Sequence, residues 1–196
     1  MKRLLAALLG LALFATSAGC TAAAPKLHGN PYTNPAQAPN VALPSTTGEE
    51  FDLNDHRGQV ILLYFGYTSC PDICPATLAQ LRSILTAPEI DRNRVEVVMI
   101  TVDPARDTLA VLKEYLVRFD PDFIGLRAEG DLLAAVEAEY GVYAARDESS
   151  DPEHYIVSHT ARVFVIDPDG VLVTNYSFDT PSADIQADLE WLSRER

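Results

Sequence analysis

Two cysteines in the stretch GYTSCPDICPATL carry the chemistry that this sequence most clearly offers. Cys70 and Cys74 are separated by three residues, directly after the apolar run VILLYF and at the predicted start of a helix. The unpaired N–H groups at a helix N-terminus lower the pKa of a nearby thiol and so favour the thiolate. Because a thiolate attacks disulfides and binds metal ions, the pair could be a redox couple, a metal clamp or a structural disulfide.

A structural disulfide is the least favoured of these three interpretations. A bond between Cys70 and Cys74 would close a very short loop, and the chain-entropy model assigns such a bond only about 2 kcal/mol. Residues i and i+4 of a helix have Cβ atoms about 5–6 Å apart, whereas a disulfide needs about 3.5–4.5 Å. With 196 residues, the chain can also build a core without covalent help.

Two sulfur ligands are typical of sites for soft metal ions such as Cu(I) or Zn²⁺, rather than Mg²⁺ or Ca²⁺. Two ligands do not fill either coordination shell, so we expect a third ligand from a histidine. His56 lies in the polar turn NDHRGQ and His154 in the polar stretch SSDPEHY, where both are expected to be solvated. His159 stands at the mouth of a predicted strand, where a loop could meet the cysteines; the alternative is a hydrogen-bonded loop histidine.

The first forty residues have the pattern of an export signal followed by a tether. The charged start MKR precedes the short apolar segment LLAALLGLALF, and small residues follow in ATSAGC. We therefore predict a lipoprotein signal peptide over residues 1–19, lipidation of Cys20, and a proline-rich membrane tether over residues 20–40. The alternative is an ordinary cleaved signal peptide in which Cys20 is incidental. The folded domain is predicted to span residues 41–196.

The composition is that of a globular protein, since hydrophobic residues make up 47% of the chain. The formal net charge at pH 7 is −13, which argues against nucleic acid as a partner. A cationic protein surface or a metal cation would suit such a charge better.

Strand and helix patterns alternate along the predicted domain, which indicates an α/β fold with a central sheet flanked by helices. The segment VALPSTTGEEFDL predicts an N-terminal β-hairpin that turns at Thr47 and Gly48. QVILLYFGY and RVEVVMITVD are continuous apolar runs typical of strands buried on both faces. A helix is predicted from about Pro75 to Leu85, and a closing hairpin turns at Asp169 and Gly170.

Three motifs follow one another along this domain: YTSCPDICPATL, TVDPARDT and YIVSHTARVFVIDPDG. Together they resemble the Sco/SenC family of copper-binding, thioredoxin-like proteins, which assist assembly of the dinuclear copper centre of cytochrome c oxidase. The resemblance extends from about Pro39 to Trp191. It implies a thioredoxin-like central mixed sheet.

The resemblance also implies a ligand set and a role. Cys70 and Cys74 would bind copper through sulfur, with His159 as the nitrogen ligand, to Cu(I) or, with added oxygen ligands, to Cu(II). Asp103 matches an acidic position near the family's site, which implies a supporting or partner-facing role; a turn-capping aspartate is the alternative. Arg106 and Asp107 are expected to form a local salt bridge and a helix cap.

The function implied is that of a copper metallochaperone, anchored by lipid to the outer face of the bacterial cytoplasmic membrane. It would deliver copper to cytochrome c oxidase subunit II or another copper acceptor, and the tether suits a monomer. The first alternative is a thiol–disulfide oxidoreductase that reduces the acceptor's cysteines, with Cys70 and Cys74 as its catalytic pair and no need for His159. The second is an inert lipoprotein with a structural disulfide.

Overall fold

The computed structural model describes residues 26–147 and 155–194. The predicted signal peptide, the predicted lipidation site Cys20 and His154 lie outside the described residues. No helix within these two ranges is long and apolar enough to cross a bilayer.

The described residues form ten strands and four α-helices. The strands are β1 (Ala36–Gln37), β2 (Ala42–Pro44), β3 (Glu50–Asp52), β4 (Val60–Gly66), β5 (Val95–Thr101), β6 (Ile124–Leu126), β7 (Ala144–Arg146), β8 (Val157–His159), β9 (Arg162–Ile166) and β10 (Val171–Ser177). The helices are α1 (Ile73–Leu85), α2 (Leu109–Leu116), α3 (Gly130–Glu139) and α4 (Ser182–Leu192).

A six-stranded mixed sheet in the order β1-β10-β9-β4-β5-β6 forms the centre of the fold. Strands β4, β5 and β6 run parallel, whereas β9 is antiparallel to β4 and to β10. Every residue of β4 is buried, as expected of a strand covered on both faces. The predicted α/β fold with a central mixed sheet flanked by helices is confirmed.

The hairpins lie where the sequence places them. Strands β2 and β3 pair across the turn that contains Gly48, whose φ of 96° suits a residue without a Cβ. Strands β9 and β10 pair across the turn at Asp169 and Gly170. Strands β7 and β8 form a separate two-stranded sheet, so β8 is hydrogen-bonded to β7 and not to the main sheet.

The described part of the predicted tether lies against the domain. Strand β1 pairs with β10 at the edge of the sheet, and the Tyr140 hydroxyl donates to the carbonyl of Pro39 at 2.7 Å. The backbone N–H of His28 donates to the buried Asp188 carboxylate at 2.9 Å. Prolines favour extended backbone, which the sequence analysis interprets as a tether, but an extended chain can also add an edge strand.

Candidate metal centre

The two cysteines lie on the loop that leaves the central strand β4 and on the first turn of α1. Cys70 is partly exposed and Cys74 is buried, and both are free thiols. The backbone N–H of Cys74 points to the Cys70 sulfur at 3.4 Å. Helix α1 begins at Ile73, two residues before the predicted start, and Pro75 falls in the first turn, where no intrahelical N–H bond is lost.

The two thiols have opposite acidities. The pKa of Cys70 is lowered to about 5, first by its hydrogen bond with the Cys74 thiol and then by the backbone N–H groups of Asp72 and Cys74. Burial opposes this shift. The pKa of Cys74 is raised, because its thiol is hydrogen-bonded to Cys70 and is buried. Cys70 is therefore the thiolate at neutral pH.

His159, the last residue of β8, lies next to the cysteines. Its Nε2 lies 3.5 Å from the Sγ of Cys74, and its Nδ1 lies 3.2 Å from the carbonyl oxygen of Val157. Since a carbonyl oxygen can only accept, Nδ1 carries the proton and the Nε2 lone pair faces Cys74. The ring stands edge-on to Tyr67, with the centroids 5.5 Å apart.

The distance between Cys74 and His159 fits a shared metal ion. With metal–sulfur and metal–nitrogen bonds of about 2.3 and 2.0 Å, an angle of about 110–120° at the ion places the two ligand atoms about 3.5–3.7 Å apart. No three His, Cys, Asp or Glu side chains among residues 26–147 and 155–194 already form a metal-binding group. The three predicted ligands are therefore neighbours around Cys74, and their side chains would have to move closer together for all three to bind one ion.

Tyr64 is a contact of the site that the sequence analysis missed. It lies in β4, it is fully buried, and its hydroxyl donates to the Cys74 sulfur at 3.3 Å. Burial raises the pKa of Tyr64, so the phenol keeps its proton for this bond. The only available signal was a side chain with a polar tip inside an otherwise apolar strand.

Asp107 fixes the loop before Cys70. Its buried carboxylate accepts from the backbone N–H of Thr68 at 3.0 Å, from the Thr68 hydroxyl, and from the Thr101 hydroxyl at 2.6 Å. The expected local salt bridge of Arg106 is present, with Asp103 as its partner, whereas the expectation that Asp107 caps a helix is wrong. Thr108 caps α2, and its hydroxyl accepts from the backbone N–H of Val111.

Asp103 is 4% exposed. Its carboxylate accepts from the Tyr155 hydroxyl at 2.6 Å and pairs with the Arg106 guanidinium. A buried carboxylate with two internal donors is placed to support neighbouring groups rather than to face a partner.

His56 lies away from the cysteines, before the first residue of β4, whereas the cysteines follow its last. Its ring stacks on Phe51 with the centroids 4.2 Å apart, and its Nδ1 lies 2.7 Å from a carboxylate oxygen of Glu96. The structure therefore groups Cys70, Cys74 and His159 and leaves His56 out.

An open groove of about 330 Å³ lies beside the cysteines. Its lining joins the Cys70 loop to strand β8 and comprises Tyr67, Cys70, Pro71, Asp72, Ile73, Ile156, Val157, Ser158 and His159. The half-exposed Ile156 stands at its rim. A partner can therefore approach Cys70 and His159 from one side across a mostly apolar surface.

Comparison with known proteins gives consistent results. A family model described as SCO1/SenC matches residues 32–194. An SCO2-like protein of Rickettsia felis is 36% identical over 141 residues, which cover 70% of this chain and 68% of that protein. The structure of Bradyrhizobium japonicum ScoI with copper bound has a TM-score of 0.71 at 32% identity, covering 80% of this chain and 99% of that one. Yeast Sco1 with copper bound has a TM-score of 0.68 at 31% identity, covering 80% of this chain and 90% of that one.

Proposed function

This chain belongs to the SCO1/SenC family, and we propose on that premise that it is a copper metallochaperone. Cys70, Cys74 and His159 hold Cu(I) as cargo in a site of two sulfurs and one nitrogen. The observation that carries this proposal is the 3.5 Å approach of the His159 Nε2 to the Cys74 sulfur, next to Cys70. A thiol–disulfide couple alone has no need of that imidazole.

The donor set favours copper as the metal. Thiolate sulfur selects soft ions, and a structural zinc site is usually closed by four protein ligands, whereas three are present here. The similar structures of B. japonicum ScoI and yeast Sco1 carry copper, which supports copper as the metal in this chain as well. Cu(II) would need additional oxygen ligands.

Transfer of the ion proceeds by ligand exchange through the open groove beside Cys70. An acceptor thiolate that enters this groove displaces one protein ligand at a time, so the ion is never released to water. The resemblance of the motifs points to cytochrome c oxidase subunit II as the acceptor. Oxidation of the two thiols to a disulfide would remove both sulfur ligands and stop binding.

The lipoprotein pattern before Cys20 supports a location at the outer face of the bacterial cytoplasmic membrane. Lipidation of Cys20 would leave only a short stretch of chain between the membrane and His28, which is hydrogen-bonded to the domain. This short connection would hold the copper site near membrane-bound acceptors.

The test is copper stoichiometry on the reduced full chain, purified in detergent, for wild type, His159→Ala and His56→Ala. We expect one copper per wild-type chain and clearly weaker retention after His159→Ala. His56→Ala is the matched control, since it removes a histidine that is distant from the cysteines, and it should bind as wild type does. Absence of copper from the fully reduced wild type would contradict the proposal.

The acidities of the thiols favour a second candidate, a thiol–disulfide oxidoreductase. Cys70 is partly exposed with a pKa of about 5, whereas Cys74 is buried with a raised pKa. The Cys70 thiolate would attack the acceptor's disulfide, and Cys74 would then resolve the mixed disulfide. Two electrons pass to the acceptor, which gains two thiols as Cys70 and Cys74 form a disulfide. His159→Ala should spare this exchange while it weakens copper retention.

A further inference from the structure

Tyr155 lies between two arginines, two residues before strand β8, whose last residue is the candidate ligand His159. The guanidinium carbon of Arg106 lies 3.6 Å from the centre of the Tyr155 ring, and that of Arg146 lies 3.7 Å from it. Tyr155 is only 6% exposed. Cations stacked on an aromatic face attract it most strongly where water is excluded, so this ring is held from two sides.

The hydroxyl of the same side chain is held as well. It donates to the buried Asp103 carboxylate at 2.6 Å, and the Arg106 guanidinium pairs with that carboxylate. Asp103 follows the central strand β5 by two residues, so the sheet fixes the position of the carboxylate that binds Tyr155. Tyr155 and its three charged neighbours Asp103, Arg106 and Arg146 are called the Tyr155 clamp below.

Strand β8 begins two residues after Tyr155 and is bound to the rest of the fold at several points. Strand β8 has three residues and pairs with β7 in a sheet separate from the main one. Beyond that pairing, the backbone N–H of Val157 donates to the Tyr67 hydroxyl at 3.2 Å. The carbonyl oxygen of Val157 accepts a hydrogen bond from the Nδ1–H of His159. The carbonyl that orients the imidazole therefore lies two residues after the clamped ring.

We propose that Tyr155 is a positioning residue for the copper site, in which the Tyr155 clamp sets the place of Val157 and thereby aims the Nε2 of His159 at Cys74. The inference rests on the proposed function, because the purpose of that aim is to bind copper. Groups that orient a ligating histidine typically contribute about 10–100-fold to metal affinity. Loss of the clamp should free the imidazole while both thiolates remain.

Two substitutions separate the two parts of the clamp. Tyr155→Phe keeps the ring between the arginines and removes only the bond to Asp103. Tyr155→Leu removes both. Tyr143→Leu is the matched control, because Tyr143 precedes β7, the strand that pairs with β8, but is 65% exposed.

The first readout is copper itself, added as Cu(I) to the reduced full chain in detergent. X-ray absorption counts the sulfur and nitrogen neighbours of the ion, and competition with a chelator gives its affinity. We expect two sulfurs and one nitrogen in wild type and in Tyr143→Leu. Tyr155→Leu should lose the nitrogen and about 10–100-fold in affinity, and Tyr155→Phe should lose less than about tenfold.

The second readout needs no copper and separates this inference from the proposed function. Nitrogen-15 NMR of the reduced apo chain should show the Nδ1–H form of His159 in wild type and a mixture of the two tautomers in Tyr155→Leu. If Tyr155→Leu does not fold, a partial shift of His159 toward that mixture in Tyr155→Phe supports the positioning role.

A wild type that binds no copper but shows this NMR difference would refute the copper function and leave the positioning role standing. Folded Tyr155 variants in which the His159 tautomer, the nitrogen neighbour and the affinity all match wild type would overturn the inference.

Discussion

Cys70 and Cys74 are chemically unlike, although they belong to the same turn of chain. Cys70 accepts hydrogen bonds from the start of α1 and from the Cys74 thiol, whereas Cys74 lies beneath it against Tyr64. The outer sulfur is therefore ionised and accessible, while the inner sulfur is protonated and shielded. A copper ion that binds to both must displace the proton of Cys74, so uptake releases a proton at neutral pH.

Alkylation of the reduced, metal-free chain tests this asymmetry. Because only the thiolate reacts, the rate of modification by iodoacetamide should rise with pH and be half-maximal near the Cys70 pKa of about 5. Cys70→Ser should abolish the fast phase, and Cys74→Ala should move its midpoint to higher pH, because the thiol donor is lost. A midpoint at the ordinary cysteine value, about 8.5, in wild type would contradict the asymmetry.

The grouping of the candidate ligands could be predicted from the sequence, but most of the residues around them could not. The spacing of Cys70 and Cys74 after an apolar run indicates reactive thiols, and the motif around His159 indicates the third candidate ligand through its family resemblance. The contact of Tyr64 with Cys74 depends on how α1 sits over β4. Tyr155 lies 52 residues from Asp103, and only the folded chain brings them together.

At the scale of elements, the loop between β4 and α1 is fixed by a side chain from another part of the chain. Helix α1 has no side-chain cap, because Asp72 makes no capping hydrogen bond. The loop is fixed instead by Asp107, which lies after β5 and accepts from both the backbone and the hydroxyl of Thr68. The position of Cys70 therefore depends on a carboxylate 39 residues from Thr68 in sequence.

Asp107→Ala should destabilise the protein far more than Asp72→Ala does. The first substitution leaves the donors of Thr68 and Thr101 without their buried acceptor, at a cost of about 2–4 kcal/mol in the free energy of unfolding. The second removes an exposed side chain with no capping bond and should change that free energy by less than about 0.5 kcal/mol. Denaturant titrations of the two variants provide the comparison, and equal destabilisation would contradict the role given to Asp107.

The elements themselves were largely predictable because their patterns are local. An apolar run predicts β4, and turn residues such as Gly48 and Gly170 predict the hairpins. Asp107 looked like a helix cap because it stands next to Thr108, and its true partners lie elsewhere in the chain. Strand β1 was interpreted as tether, because two residues that pair only with an edge strand leave no periodic pattern.

At the scale of the whole molecule, the N-terminal segment ties the far edge of the sheet to the last helix. Asn30 and Asn175 exchange backbone hydrogen bonds, and β1 continues along β10. His28 binds the carboxylate of Asp188 in α4 through both its backbone N–H and its Nδ1, and the Tyr176 hydroxyl donates to the same carboxylate. The N-terminal segment is therefore fixed to the domain at both β10 and α4.

This attachment should weaken as pH rises. The pKa of His28 is raised, first by its hydrogen bond to Asp188 and then by the charges of Asp188 and Asp184. A group whose folded-state pKa is raised contributes stability that is fully present below its ordinary pKa of 6.5 and is lost as pH rises through the raised value. The free energy of unfolding of wild type minus that of His28→Gln should thus be larger at about pH 5.5 than at about pH 8.5. The subtraction cancels the titration of groups that do not contact residue 28, so a difference that stays constant between these pH values would show that the charge of His28 contributes nothing to the attachment.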